Sequence, residues 1–415
     1  MKRIILTTVI ALGFAVQGFA QNNDMKAKIE YEDAETAFQN KEYEKAITHL
    51  TNAEKLLGRW TARVSFLKIQ ALDIITDYSD WRDNTAEIYR QVKEYMKYAD
   101  ENPDKVDLDR MRDIYEVEKR ADAVKKIKEW EEMPEYKNAL EANDRSDATE
   151  MINWLKKATE KGNALAMYVM GILYKEGVGG MNKDYKETMN WYKKAADEGF
   201  IKAINDIGLL YHSGQGVTQN YSEAMNWYKK AAEKGHVYAM GNIGYLYMDG
   251  TGVAKNYQES MNWFKKASEK GSIDAMNMIG TLYFNGGNSI TRNYQEAMNW
   301  FKKASDKEYA TSISNIGLMY QEGLGVQKNY AEAINWYEKA IKAGYDKSPT
   351  TMTHIGYCYF QLGNYTKAME WYKKAYETGT SENKSTAKGY IANMYENGLG
   401  VKKDKKTAKE WRNRY

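Results

Sequence analysis

Cysteine and proline are scarce in this 415-residue sequence. The single cysteine excludes an intramolecular disulfide and any zinc or iron–sulfur site built from several thiolates. Only three prolines occur, which favours helices, because proline removes a backbone donor and clashes with the preceding helical turn. Net charge is also small, since 60 Lys and Arg residues stand against 57 Asp and Glu residues. The composition therefore gives no electrostatic reason to expect nucleic acid or an anionic membrane as a partner.

The first twenty residues have the pattern of a secretory signal peptide. Lys2 and Arg3 precede an apolar run over 4–16, and 18–20 place small residues at the positions that a signal peptidase reads. This run is too short to cross a bilayer, which needs roughly 20 apolar residues, and no later stretch is apolar enough to span a membrane. We predict cleavage after Ala20 and an exported product, either periplasmic or secreted.

A repeated phrase organises most of the chain. The block Met-Asn-Trp-Tyr-Lys-Lys-Ala at 189–195 returns at 225–231, and related blocks begin at 152, 261, 298, 334 and 369. Its tryptophans recur at 154, 191, 227, 263, 300, 336, 371 and 411, in steps of 35 to 40 residues. A fixed period in this range indicates stacked supersecondary units rather than separate domains.

Each unit has the pattern of two helices. In the first helix, Met240, Ile243, Gly244 and Tyr247 are spaced i, i+3, i+4, i+7, which is one apolar face of an amphipathic helix. A glycine costs a helix about 1 kcal/mol relative to alanine, so its recurrence at the centre of this face predicts close packing on a neighbour. Glycines are also expected as caps at the ends of the second helices, namely Gly199, Gly235, Gly271, Gly344 and Gly379.

The order of these residues closely resembles the Sel1-like repeat (SLR), a subclass of the tetratricopeptide (TPR) superfamily. The matching phrase is Ala-Met-x-x-Ile-Gly-x-Leu-Tyr, then Gly-x-Gly-Val-x-x-Asn-Tyr, then Ala-x-x-Trp-Tyr-x-Lys-Ala-Ala-x-x-Gly, and it covers about 150–415. Three places depart from it: the turn at 284–293, Glu308 at a capping Gly position, and a shortened turn at 360–364. The resemblance implies an all-α fold, a right-handed α-solenoid of stacked helix-turn-helix repeats, with about seven units in 146–415.

Residues 21–145 are less regular and are predicted to form an N-terminal TPR-like helical region. Residues 34–53 resemble one TPR hairpin, and 60–76 with 81–98 would form a second, more divergent one. A charged helix is expected from about 106 to 132, starting after Pro103 and ended by Pro134.

Side chains suited to catalysis or metal binding are few and scattered. The four histidines lie in different units without the spacing of a zinc site, and we expect surface or groove positions for His49, His212, His236 and His354. Cys358 falls at an apolar position of a first helix, which predicts a buried thiol rather than a nucleophile. The repeated tryptophans are expected in the core. The sequence thus predicts no catalytic residues, no metal and no cofactor.

A surface stripe is the remaining candidate site. The resemblance implies that first helices line the concave side of the stack. On these helices we consider the positions three before, one after and four after the central Gly. The residues at these positions vary between units and include amides, aromatic side chains and Met. Such mixtures suit recognition of an extended peptide; the alternative is that these side chains pack against the next repeat. The stripe reads Asn205, Leu209, His212; Gly241, Tyr245, Met248; Asn277, Thr281, Phe284; Ser314, Leu318, Gln321; and Thr353, Tyr357, Phe360.

We therefore expect a non-catalytic interaction scaffold or adaptor that binds a protein or peptide in the concave groove, with cell-envelope components as candidate partners. The alternative is an exported repeat protein with β-lactam or peptidoglycan-related binding or hydrolase activity. Exported members of the repeat family that have been linked to β-lactams are stapled by disulfides, and one cysteine does not fit that pattern. A penicillin-binding assay and sedimentation with cell-wall sacculi would separate these hypotheses.

Overall fold

The computed structural model describes residues 18–58, 61–76, 85–102, 105–106, 108–287, 289–345, 348–379 and 381–414. Residues 1–17, which form most of the predicted signal peptide, lie outside these ranges. Throughout the described residues the secondary structure is helical, apart from an isolated β-bridge between Gly287 and Ile290. None of the described helices combines the length and the apolarity that a membrane crossing requires.

The helices follow one another as antiparallel hairpins, and from α8 onward they alternate as the first and second helices of successive repeats. The fold is thus the predicted all-α solenoid of stacked helix-turn-helix repeats. The helices are α1 (Gly18–Gln39), α2 (Tyr43–Leu57), α3 (Ala62–Ile75), α4 (Thr85–Glu101), α5 (Leu108–Glu132), α6 (Pro134–Asp144), α7 (Ala148–Glu160), α8 (Ala164–Glu176), α9 (Tyr185–Asp197), α10 (Ile201–Ser213), α11 (Tyr221–Glu233), α12 (Val237–Asp249), α13 (Tyr257–Glu269), α14 (Ile273–Asn285), α15 (Tyr294–Ser305), α16 (Ala310–Glu322), α17 (Tyr330–Ala340), α18 (Pro349–Gln361), α19 (Tyr365–Thr378), α20 (Ser381–Asn397) and α21 (Lys405–Arg412), with a π-helical turn at Ile341–Tyr345.

The chain divides into two compact units, residues 1–239 and 240–415, and the division falls within α12. In the first unit, α1 to α5 lie where N-terminal helices are predicted, and α5 ends at Glu132 as expected. Residues 60 and 81–84 of the second predicted hairpin lie outside the described ranges. Pro134 does more than end α5, because it stands in the first turn of α6, where its missing N–H is not needed. The predicted domain boundary between 145 and 146 stays a prediction.

A buried ion-pair network ties together three of the N-terminal helices. The ammonium of Lys68, a side chain only 3% exposed, lies 2.7 Å from a Glu54 oxygen and 2.8 Å from a Glu87 oxygen. Burial alone would raise the pKa of Glu87, but hydrogen bonds from Arg90 and Lys68 lower it to about 2. Removal of one partner would leave a buried charge uncompensated.

Several second helices begin at an asparagine N-cap that occupies the same position in each repeat. Asn220, Asn256, Asn293 and Asn329 each accept a hydrogen bond from the amide of the Glu three residues later. Such caps satisfy amides that have no partner within the helix and are worth about 1 kcal/mol each.

The central glycines confirm the predicted close packing. A Cβ built on Gly244 would lie 2.7 Å from Cε1 of Phe264, and one on Gly280 would lie 2.6 Å from Cδ1 of Phe301. The same relation links Gly171, Gly208, Gly317 and Gly356 to Tyr192, Tyr228, Tyr337 and Tyr372. In these six repeats, therefore, the first helix lies against a buried aromatic ring of its own second helix.

The predicted glycine caps are confirmed at four of five positions. Gly199, Gly235, Gly271 and Gly344 have positive φ, between 87° and 105°. Gly379 does not, because its φ of −78° and ψ of 158° are extended and end α19 without a left-handed residue. Glu308, at a capping Gly position, nevertheless adopts φ 59°, a conformation that costs a non-glycine residue about 1–2 kcal/mol.

The repeated tryptophans are not core residues, contrary to the prediction. Seven of the eight are half-buried, and only Trp411 is buried. A lysine three residues later lies over the ring, for example Lys303 at 4.2 Å from the Trp300 ring centre. Similar pairs form at Trp154, Trp191, Trp227, Trp263, Trp336 and Trp371. These seven indoles are therefore only partly covered, so each can pack on one side and contact a cation on the other.

Candidate functional site

In the first unit, the predicted stripe residues have different environments. Asn205 is buried, and its amide donates to the carboxylate of Asp206 at 2.9 Å. Asp206 also accepts from Tyr168 Oη of the preceding first helix at 2.7 Å. His212 is half-buried, with its ring edge-on to Tyr221, whereas Leu209 is 43% exposed. Of these three side chains, only Leu209 offers a free apolar surface.

In the second unit, stripe residues join consecutive first helices by hydrogen bonds. Tyr245 Oη of α12 donates to Asp274 of α14 at 2.7 Å. The Asn277 side-chain oxygen on α14 accepts from Ser312 Oγ of α16 at 2.9 Å. Gln321 Oε1 on α16 lies 3.0 Å from His354 Nδ1 on α18. This is the packing role that was the alternative to ligand binding, and it accounts for a large part of the stripe.

The remaining stripe residues of the second unit divide between internal contacts and accessible surface. The Thr281 and Thr353 hydroxyls donate to carbonyls of their own helices, Asn277 O and Pro349 O. Phe284 packs edge-on against Tyr294, and Phe360 against Tyr365. The half-buried residues that contribute surface are Gly241, Met248, Ser314, Leu318 and Tyr357.

A cleft of about 350 Å³ opens on the first helices α16, α18 and α20. It brings together three predicted stripe residues, Gln321, Thr353 and Tyr357. Its other lining residues are Glu322, Thr350, His354, Thr386 and Tyr390. We call this feature the Glu322 cleft. Its volume is at the lower end of the range of ligand pockets.

Aromatic rings form much of the cleft and are fixed by neighbouring rings. Tyr390 stacks on Tyr372 with ring centres 4.7 Å apart and planes at 6°, and Tyr357 lies 6.5 Å from Tyr390. His354 stacks on Tyr337 at 5.4 Å. Packed rings of this kind lose little conformational entropy when a ligand binds against them.

The charge within the cleft is negative. Burial lowers the pKa of His354, so its ring is neutral at neutral pH, although Glu322 opposes this shift. Burial raises the pKa of Tyr357 and Cys358, the latter to about 12, and the charge of Glu322 adds to both shifts. Glu322 itself is exposed, and its Oε1 accepts from Gln321 Nε2 at 2.8 Å. The cleft thus combines a solvent-accessible carboxylate with aromatic rings and hydroxyls.

Sequence reasoning missed five lining residues because the functional side of these helices is rotated from the predicted stripe. The central residues are Gly317, Gly356 and, in the last repeat, Ala392. The missed residues lie six before, two before or five after the central residue of their helix. At 3.6 residues per turn, these positions are rotated by roughly 70° around the helix axis from the stripe. They are Glu322, Thr350, His354, Thr386 and Tyr390.

Three consecutive first helices of the second unit lack Lys and Arg, and this signal is readable from the sequence. The first helices α14, α16 and α18 carry the acids Asp274 and Glu322 and contain no Lys or Arg. First helix α20 does carry two lysines, Lys384 and Lys388. The second helices α13, α15, α17 and α19 together carry eight lysines and seven glutamates. A cation that approaches α14, α16 or α18 therefore meets no like charge on the same helix.

The histidine and cysteine predictions have mixed outcomes. Cys358 is a buried free thiol, as predicted. His236 contradicts its predicted surface or groove position, because it is 2% exposed and its Nδ1 accepts from the Ala239 amide at the start of α12. His49 is partly buried beside Glu30 at 2.6 Å. Among the described residues, no three His, Cys, Asp or Glu side chains are grouped as metal ligands would be.

Comparisons with known proteins assign the family. The Sel1 repeat model matches residues 164–200, 201–236, 237–272, 273–309, 310–345 and 387–411, and a tetratricopeptide repeat model matches 349–378. A Sel1 repeat protein from Oxalobacter formigenes is 30% identical, with a TM-score of 0.52 over 59% of this chain and 100% of that one. No curated protein matches the sequence significantly.

A second solved structure agrees in fold. It is a protective antigen of uropathogenic Escherichia coli strains that displays an SLR fold, 23% identical, with a TM-score of 0.57 over 96% of this chain and 78% of that one. The fold and the repeat matches define a solenoid of the Sel1 and TPR class. The chain belongs to the Sel1 repeat family. Repeat solenoids of this class are typically non-catalytic scaffolds for protein–protein interaction.

Proposed function

We propose that this protein is a non-catalytic adaptor that binds an extended segment of a partner protein along the first-helix side of its second unit. The Glu322 cleft carries this proposal, because it opens among three consecutive first helices and presents rings, hydroxyls and a carboxylate together. Extended segments are recognised by side-chain pockets of this kind combined with polar groups that bond the backbone.

Surface on neighbouring first helices supports the same face. Leu318 and Met248 are half-buried rather than enclosed, and Leu318 stands one residue after the central Gly317 of α16. Apolar side chains beside polar rims are typical of interaction surfaces. The partner would therefore contact α16 and α18 and place one of its side chains in the cleft.

A pair of charge-introducing variants tests the assignment of the face. Leu318→Glu places a carboxylate on the proposed contact surface, whereas Asn299→Glu places one on an exposed position of second helix α15. The partner set that co-purifies with the full-length protein from its native cell should be depleted by the first variant and unchanged by the second. Equal partner sets for both variants would contradict the assignment.

The proposed site of action is outside the cytoplasm. The charged start, apolar run and small residues of 1–20 support export and cleavage after Ala20. N-terminal sequencing of the protein purified from cell-envelope and culture fractions should begin at Gln21. A product that retains Met1 and stays in the cytoplasmic fraction would refute export.

A further inference from the structure

We infer that the Glu322 cleft binds a lysine or arginine side chain of the partner segment, an assignment that rests on the function proposed above. The cleft has a volume of about 350 Å³ and is lined by eight residues, of which Glu322 alone carries a formal charge at neutral pH. A lysine or arginine side chain supplies the opposite charge on an apolar stem, and that stem can lie along the rings before the charged group reaches the carboxylate.

The geometry of the rings fits a cation better than an anion or a purely apolar group. Tyr357 and Tyr390 line the cleft, and the face of a tyrosine ring attracts a cation through its quadrupole. Their hydroxyl groups and those of Thr350, Thr353 and Thr386 supply acceptors for the N–H donors of an ammonium or guanidinium. An anionic side chain would meet the Glu322 carboxylate with no cationic residue lining the cleft to compensate for it.

The charged residues on the helices around the cleft are compatible with a bound cation. Helices α16 and α18 contain no Lys or Arg. The two lysines of α20 have contacts elsewhere, since Lys384 lies over the Tyr376 ring and Lys388 donates to the Arg414 carbonyl. The stack of Tyr337 on His354 holds the imidazole beside Gln321, and burial keeps this ring neutral at neutral pH. A cationic side chain that enters the cleft therefore meets the Glu322 carboxylate and no cationic lining residue.

Selection of peptides on the full-length protein tests this inference and separates it from the proposed function. A displayed library of random peptides is panned on the wild type, on Glu322→Gln and on Glu377→Gln, which removes one exposed carboxylate from second helix α19. The wild type and Glu377→Gln should enrich Lys or Arg at one fixed peptide position. Glu322→Gln should still select peptides, but without that enrichment, and Gln can still accept the hydrogen bond from Gln321.

Affinities of one selected peptide then measure the coupling between its Lys or Arg and Glu322. Replacing its Lys or Arg with Gln should weaken binding to the wild type roughly tenfold, as expected for a charge-assisted hydrogen bond. The same replacement should change binding to Glu322→Gln less than about twofold. Tyr357→Phe should weaken binding less than Tyr357→Leu, since a phenyl ring loses one hydroxyl acceptor but keeps the cation–π contact.

The outcomes distinguish the two ideas. Peptides that bind along this face, are lost with Leu318→Glu and show no need for Lys or Arg would overturn the cation site and keep the proposed function. Failure to select any peptide would overturn both. Binding of free spermidine, abolished by Glu322→Gln, together with no peptide selection would assign the cleft to a small polyamine and contradict a partner side chain.

Discussion

Replacing Gly244 with alanine tests why a glycine stands at the centre of the first helices. The new methyl carbon would lie 2.7 Å from Cε1 and 2.8 Å from Cδ1 of Phe264, whereas carbon atoms in contact prefer about 3.5–4.0 Å. Phe264 is fully buried, so its ring has no free space into which it can move. Overpacking of this kind costs about 1–3 kcal/mol.

Gly241 in the same helix is the matched control. A Cβ at that position meets nothing within 4 Å, so Gly241→Ala should stabilise the second unit by up to about 1 kcal/mol through helix propensity. Gly244→Ala receives the same gain, but the steric cost outweighs it. The free energy of unfolding of Gly244→Ala should therefore lie about 1–3 kcal/mol below that of Gly241→Ala.

Urea unfolding followed by far-ultraviolet circular dichroism measures this difference. In a double-mutant cycle, Phe264→Leu should relieve the clash, so that the combined loss with Gly244→Ala is smaller than the sum of the single losses. Equal stability of the two alanine variants, or additivity in the cycle, would refute the close-packing explanation.

Three further predictions concern single side chains. Glu308→Gly should raise the free energy of unfolding by roughly 0.5–1 kcal/mol. The change removes about 1–2 kcal/mol of strain from the left-handed conformation, and the greater backbone entropy of glycine in the unfolded chain offsets part of this gain. A lower thermal midpoint would contradict this. Burial lowers the pKa of His354, so its contribution to stability is complete above about pH 6.5 and is lost as the pH falls. The decrease in stability from about pH 7.5 to 5.5 should be smaller in His354→Gln, measured by urea titration at both values; an equal decrease would exclude this role. Lys303→Ala should reduce stability by about 0.5–1 kcal/mol and Lys303→Arg should not, if the contact with Trp300 is a cation–π interaction; thermal unfolding of both variants decides.

The period and spacing of the repeated residues predicted the architecture well, because the same contacts between first and second helix recur from repeat to repeat. The central Gly and the aromatic ring of the second helix change together within the chain. In the last repeat Ala392 replaces the glycine, and Arg412 stands where the other repeats have a ring. A local rule repeated in this way can be read without a structure.

The candidate site was harder to predict because one helix face serves two purposes. Asn277 and Gln321 vary between repeats as ligand-binding residues would, yet they bond the next first helix. Variation of these residues between repeats therefore reflects hydrogen bonding between neighbouring first helices as well as ligand recognition. The cleft depends on residues from three helices separated by more than 30 positions in sequence, such as Glu322, His354 and Tyr390, and only the packing of those helices reveals that they meet.

The tryptophans show the limit of a periodic argument. A side chain that recurs at one position on every second helix is under a common constraint, but that constraint need not be burial. At Trp300 the constraint combines partial packing with a lysine over the exposed ring face. Lys303 is thus part of the same structural unit as Trp300.

Site-specific photo-crosslinking in the native cell tests the central claim most directly. A photoreactive phenylalanine analogue at Leu318 lies on the proposed binding face of the second unit, and the same group at Asn299 lies on a second helix. The proposal predicts a discrete crosslinked partner from position 318 and none from position 299, with the crosslinked partner peptide carrying a Lys or Arg nearby. Crosslinks from position 299 alone would contradict binding on the first-helix side.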